Sequence, residues 1–173
     1  MRRALGFLLL LSAPAFAQTS DPSEGRNGDF GGKLLVTTDL NRFWTEWNKP
    51  DNPTRETTSR VTQSQPVYSI VLFHDCKAGP DGNCKVLVRF TMTAPDGKPY
   101  DEPHENVAWT AAPPPNHNIQ ASRASMGFIL EAQDKLGRYE IEAKVTDEIS
   151  GRSVTLRQYV TAEAESAGAA PTT

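Results

Sequence analysis

Alternation of apolar and polar side chains dominates the chain from about Val67 to Thr161. Along Arg138 to Thr146, Tyr139, Ile141, Ala143 and Val145 share one face, while Glu140, Glu142 and Lys144 share the other. A period of two sustained over that length predicts a half-buried β-strand. Asp147-Glu148-Ile149-Ser150-Gly151 turns the chain, and Ser153 to Val160 returns with Val154, Leu156 and Val160 alternating. Ala124 to Glu131 alternates through Met126, Phe128 and Leu130, and Val107-Ala108-Trp109-Thr110 is a shorter strand. Ala94-Pro95-Asp96-Gly97-Lys98 has the residues of a tight turn. Ala112-Pro113-Pro114-Pro115-Asn116 reads as a stiff, extended loop.

Val67 to Cys76 and Cys84 to Thr93 are two further β-branched and aromatic runs, separated by the turn-rich Lys77-Ala78-Gly79-Pro80-Asp81-Gly82-Asn83. If Cys76 faces Cys84, then Leu72 faces Val88, Ile70 faces Phe90 and Tyr68 faces Met92 on one apolar face. Asp75 then meets Lys85, and Ser69 meets Thr91, on the other. That register predicts a hairpin, because a slip of one residue inverts every side chain.

Before these runs, Gln18 to Gly32 is rich in Gly, Ser, Asp and Asn and predicts a flexible leader. Lys33 to Thr38 is a possible first strand. A helix follows, capped by Thr38 or Asp39 and stopped by Pro50. Its residues Leu40, Phe43, Trp44 and Trp47 fall at i, i+3, i+4 and i+7. This aromatic stripe either covers an end or edge of the fold or forms a docking surface. Asp51 to Gln65 predicts a loop, and Ala162 to Thr173 a disordered tail. The fold class is therefore all-β: a sandwich of about seven strands over 33–161, with one short N-terminal amphipathic helix.

The first residues bear on compartment. Met1-Arg2-Arg3 is a short basic segment, Ala4 to Leu11 is apolar, and Ala15-Phe16-Ala17 has the small-x-small pattern of a cleavage site. Residues 1–17 predict a signal peptide cleaved before Gln18, and hence a periplasmic or secreted protein. The apolar run is too short to span a bilayer. Without Arg2 and Arg3 the chain carries 16 basic and 21 acidic side chains, a net charge of −5. No Lys/Arg cluster is present, which argues against nucleic acid as a partner. In an oxidising compartment the two cysteines, Cys76 and Cys84, predict a disulfide.

Asp134-Lys135-Leu136-Gly137-Arg138-Tyr139-Glu140-Ile141 resembles the corner that precedes strand F in the immunoglobulin/fibronectin type III group of β-sandwiches. The resemblance implies an immunoglobulin-like antiparallel sandwich and a Tyr139 hydroxyl tied to the backbone just upstream. Ile141 stands where antibody domains keep a cysteine, so the inter-sheet disulfide of those domains is not expected. The chain also resembles small secreted bacterial proteins with a Pro-Asp-Gly turn and a terminal Gly-x-Tyr hairpin. Such a likeness implies a fold and not a function.

Candidate chemistry is sparse. The histidines are His74, His104 and His117. His104 and His117 flank the Trp109 strand in predicted loops, and with Glu105 or Glu102 they form a candidate zinc or copper site if they converge. The bland alternative is solvated loop histidines and a partly buried structural His74. Asp101-Glu102-Pro103-His104-Glu105 is the densest ionisable cluster, either a calcium or general-base site or simply solvated charge. No G-x-S-x-G elbow, phosphate-binding loop or dinucleotide fingerprint occurs. The reading is an exported, non-catalytic binding or accessory module that contacts another envelope protein and needs no cofactor. Candidate contact residues are Trp44 and Trp47, Pro114 within the Pro113–Pro115 loop, and the 77–83 tip. The alternative is a metal-binding envelope protein using His104, His117 and Glu105.

Overall fold

The computed structural model describes residues 21–50, 57–115 and 118–165. Residues 1–20, which include the expected signal peptide, residues 51–56 of the expected loop, Asn116, His117 and the tail from Ser166 lie outside the described residues. In chain order the elements are β1 (Glu24–Asn27), β2 (Phe30–Thr37), α1 (Leu40–Trp47), β3 (Arg60–Thr62), β4 (Pro66–His74), β5 (Val86–Thr93), β6 (His104–Trp109), β7 (Gln120–Ile129), β8 (Gly137–Asp147) and β9 (Arg152–Glu163). They form a four-stranded sheet, β1-β2-β4-β7, and a five-stranded sheet, β3-β9-β8-β5-β6. Every pairing between these strands is antiparallel except β3 with β9. This is an immunoglobulin-like β-sandwich with one short helix, as expected from the sequence, though with nine strands rather than about seven.

β8 and β9 pair across the expected turn, with Tyr139 opposite Val160, Val145 opposite Val154 and Ala143 opposite Leu156. All six are buried. The corner resemblance also holds: the Tyr139 hydroxyl donates to the Lys135 carbonyl at 2.8 Å. The Tyr100 ring meets Tyr139 edge-on at 5.6 Å, and its hydroxyl donates to the Asp134 carboxylate at 2.7 Å. Burial and the nearby Asp134 charge raise both phenols above their usual range.

The hairpin expectation is overturned. β4 belongs to the four-stranded sheet, between β2 and β7, whereas β5 lies in the other sheet, between β8 and β6. The 77–83 segment therefore crosses between sheets, and Lys85 pairs with Glu148 at 2.7 Å rather than with Asp75. The physical reason is that β4 is buried on both faces. Val67, Val71 and Phe73 enter the sandwich core, while Ile70 and Leu72 lie beneath α1. Alternation cannot choose a partner for such a strand. The cysteine pairing itself holds, with Cα atoms 5.9 Å apart.

The leader and tail boundaries also shift. Asn27-Gly28-Asp29-Phe30 turns β1 into β2, with Gly28 at φ +64° in the first central position that a tight hairpin reserves for glycine. Phe30 is fully buried in the core. The Pro22 carbonyl accepts from Arg157 N at 2.7 Å and the Ser23 carbonyl from Leu34 N at 2.8 Å, so this segment seals one side of the sandwich. Its polar side chains concealed a contribution made through the backbone. At the other end, β9 continues through Glu163, and Ala162 is buried beside Val61.

Asp39 caps α1 by accepting from Arg42 N at 2.8 Å. The helix lies on the outer face of the four-stranded sheet. Phe43 packs there with Leu35, Ile70, Leu72 and Ala121, flanked by Leu40, Trp44 and Trp47. Ser69, in contrast, is fully buried and its hydroxyl has no hydrogen-bond partner. Ser69→Ala should therefore raise stability by about 1 kcal/mol, the scale of one unsatisfied buried hydroxyl, as read by urea unfolding. A loss of similar size would mean that the hydroxyl has an acceptor.

Candidate functional site

β6 follows Pro103 and runs along the outside of the five-stranded sheet, paired on one side only, with β5. The register places His104 opposite Phe90, Glu105 opposite Arg89, Asn106 opposite Val88 and Val107 opposite Leu87. His104, Glu105, Asn106 and Val107 are all exposed, and Val107, at 53% exposure, is the most open large apolar side chain among the described residues. Phe90 and Val88 are core residues, so His104 and Asn106 belong to the inward row, while Glu105 and Val107 belong to the outer surface. A bulge near Ala108 ends the regular ladder.

Beyond the bulge, Trp109 anchors the following loop. Its ring meets Phe73 edge-on at 6.3 Å, and its Nε1 donates to the Ala112 carbonyl at 3.1 Å. The Arg123 guanidinium of β7 sits 4.6 Å from the Trp109 ring centroid. Pro113 and Pro114 follow, half-buried. Pro114 thus lies in the loop after β6, whereas Trp44 and Trp47 belong to the opposite sheet's outer face.

These tryptophans are half-buried: Phe43 contacts Trp44 edge-on at 5.1 Å and stacks on Trp47 at 5.9 Å. Their aromatic area is used in covering the sheet rather than presented as an open stripe. The 77–83 tip lies at a third place, tied to the β8–β9 turn. Asp147 is fully buried there and accepts from Lys77 N at 3.0 Å, Ile149 N at 3.2 Å and the Ser150 hydroxyl at 2.5 Å.

Of the expected metal residues, His104 and Glu105 are not brought together. His104 is a strand residue, not a loop residue, and strand alternation turns Glu105 to the opposite face. His117 lies outside the described residues, and among those described no group of three His, Cys, Asp or Glu side chains is placed to hold a metal ion. His104 Nε2 is 3.3 Å from Asp101 Oδ2. The Glu102 backbone N–H, and then His104, lower the Asp101 carboxyl below its usual range. His74 is partly buried on the outer side of β4, with Nδ1 2.7 Å from Asp75 and its ring against Gly31. The exposed β6 edge was missed because a four-residue apolar patch does not reveal whether its strand is central or outermost.

No helix among the described residues is long and apolar enough to cross a membrane. No protein-family model matches the chain, and no curated protein matches it in sequence. Solved structures resemble it distantly. An alkylpurine DNA glycosylase from Pseudomonas fluorescens bound to abasic-site DNA is 10% identical, at a TM-score of 0.43, covering 76% of this chain and 30% of that one. The chain thus spans less than a third of that enzyme. A CARDB domain from Pyrococcus furiosus, solved with di-metal ions, is 11% identical with a TM-score of 0.40 over 85% of this chain and all of that one. An immunoglobulin-like protein from Pseudomonas aeruginosa is 11% identical with a TM-score of 0.35 over 86% and 100%.

Proposed function

We propose that this chain is an exported, non-catalytic immunoglobulin-like module, periplasmic or secreted, that binds another envelope protein along the β6 edge. The observation that carries this reading is the row His104 to Val107: an outermost strand, exposed at four consecutive residues, with an open valine. Two of the other sheet edges are less available. β1 is joined to β9 by the Asn27 side chain and the Pro22 carbonyl, and β3 is only three residues long. Unpaired N–H and C=O groups on β6 would add an extended partner strand. On the outer face, that strand would set an apolar residue beside Val107 and a basic one beside Glu105. The export reading is supported by the n-region, apolar run and Ala15-Phe16-Ala17 pattern, and by a disulfide suited to an oxidising compartment.

Val107→Lys tests the edge, because an added edge charge opposes strand addition without touching the core. The variant should unfold within about 0.5 kcal/mol of the wild type. It should lose the envelope protein that the wild type retains on affinity purification. Equal recovery of the same partner by both proteins would remove β6 from the interface.

A further inference from the structure

A small cavity lies where β5, β6 and β7 converge, about 30 Å³ in volume and lined in part by Met92, Met126, His104, Tyr100, Asp101 and Glu102. That volume holds a water or a single ion. The sequence contains three methionines, and Met1 belongs to the signal segment. Both of the others line this one cavity, together with His104. Met92 and Met126 are 4% and 8% exposed, so they are shielded, while the His104 side chain is about half exposed at the mouth.

We propose that Met92, Met126 and His104 form a Cu(I)-binding site. Thioether sulfur is a soft, uncharged donor, and with imidazole it favours Cu(I) over zinc, calcium or magnesium. The two cysteines are joined to each other and do not compete for the ion. Asp101 and Glu102 at the rim supply negative charge that attracts a cation. Asp101 also serves His104: a tautomer that donates Nε2–H to Asp101 Oδ2 leaves the Nδ1 lone pair for the metal, the usual arrangement for a ligating histidine. This donor set differs from the His104–His117–Glu105 combination expected from sequence, since β7 supplies a ligand that no local spacing announces. The site does not depend on the β6 edge binding a protein.

The test is an anaerobic titration of the exported protein with Cu(I) in the presence of the chromogenic chelator bicinchoninate. One equivalent of copper should pass from chelator to protein. Met92→Leu, Met126→Leu and His104→Gln should each weaken binding by roughly tenfold or more, since loss of even an outer partner costs that much. Leucine conserves the methionine volume and keeps the core filled. As a readout independent of any variant, the two methionine methyl signals in carbon-labelled wild-type protein should both shift with one equivalent of Ag(I) and stay in place with Zn(II). Failure to withdraw copper, unmoved methyl signals, or a Met92→Leu/Met126→Leu double variant with wild-type affinity would each overturn the site and leave the methionines as core filler. Val107→Lys should bind copper normally, so loss of the docking reading and loss of this one are separable.

Discussion

Asp147→Ala should destabilise the fold by about 3 kcal/mol, measured by urea unfolding, the largest loss expected from any single polar side chain here. The carboxylate is fully buried at the end of β8 and is a three-way acceptor for the Lys77 and Ile149 amides and the Ser150 hydroxyl. Alanine removes the acceptor and leaves two part-buried backbone donors without it. The penalty for each unmet donor exceeds the net worth of an ordinary hydrogen bond. Asp147→Asn should recover part of the loss, because the Ser150 hydroxyl can reverse and accept from the amide nitrogen. A cost below about 1 kcal/mol for alanine would mean that water enters the turn and replaces the carboxylate.

Replacing Cys76 and Cys84 together by alanine should cost roughly 2–3 kcal/mol on the chain-entropy account of an eight-residue separation. The bridge links the end of β4 in one sheet to the approach to β5 in the other, so its loss should loosen the crossover rather than shift a hairpin register. Amide exchange should quicken at Gly79, Gly82 and Cys84, whose N–H groups bond Asn83, Gly79 and Ala111, and stay slow along β8. The unreduced protein should weigh two protons less than the free dithiol. The disulfide and Asp147 hold the same segment, so combining their variants should cost less than the sum of the separate losses. Strict additivity would show that the two ties act independently.

Much of the fold is legible in the sequence where one face is wet. β8 and β9 announce themselves through Tyr139, Ile141, Val145 and Leu156, and the Tyr139 corner identifies the sandwich before any coordinates. Legibility fails where burial is two-sided or where the backbone does the binding. Ile70 and Leu72 look like the inner face of a hairpin, yet they are the floor under α1. Glu24 to Asn27 looks like linker because its side chains are polar, although its hydrogen bonds complete a sheet. The candidate site is less legible still. Val107 and Trp109 can be assigned to a strand from sequence, whereas His104 reads as a loop residue, and whether that strand is an edge is a property of the sheet order. The meeting of Met92, Met126 and His104 requires three strands from two sheets.

The measurement that bears most directly on the docking account is photocrosslinking in living cells. A photoreactive residue would be placed in turn at Glu105, at Val107 and, as a control on the outer face of the five-stranded sheet, at Thr155 of β9. The account predicts one reproducible envelope-protein adduct from positions 105 and 107 and none from 155. No adduct from the edge positions, or the same adducts from all three, would contradict it.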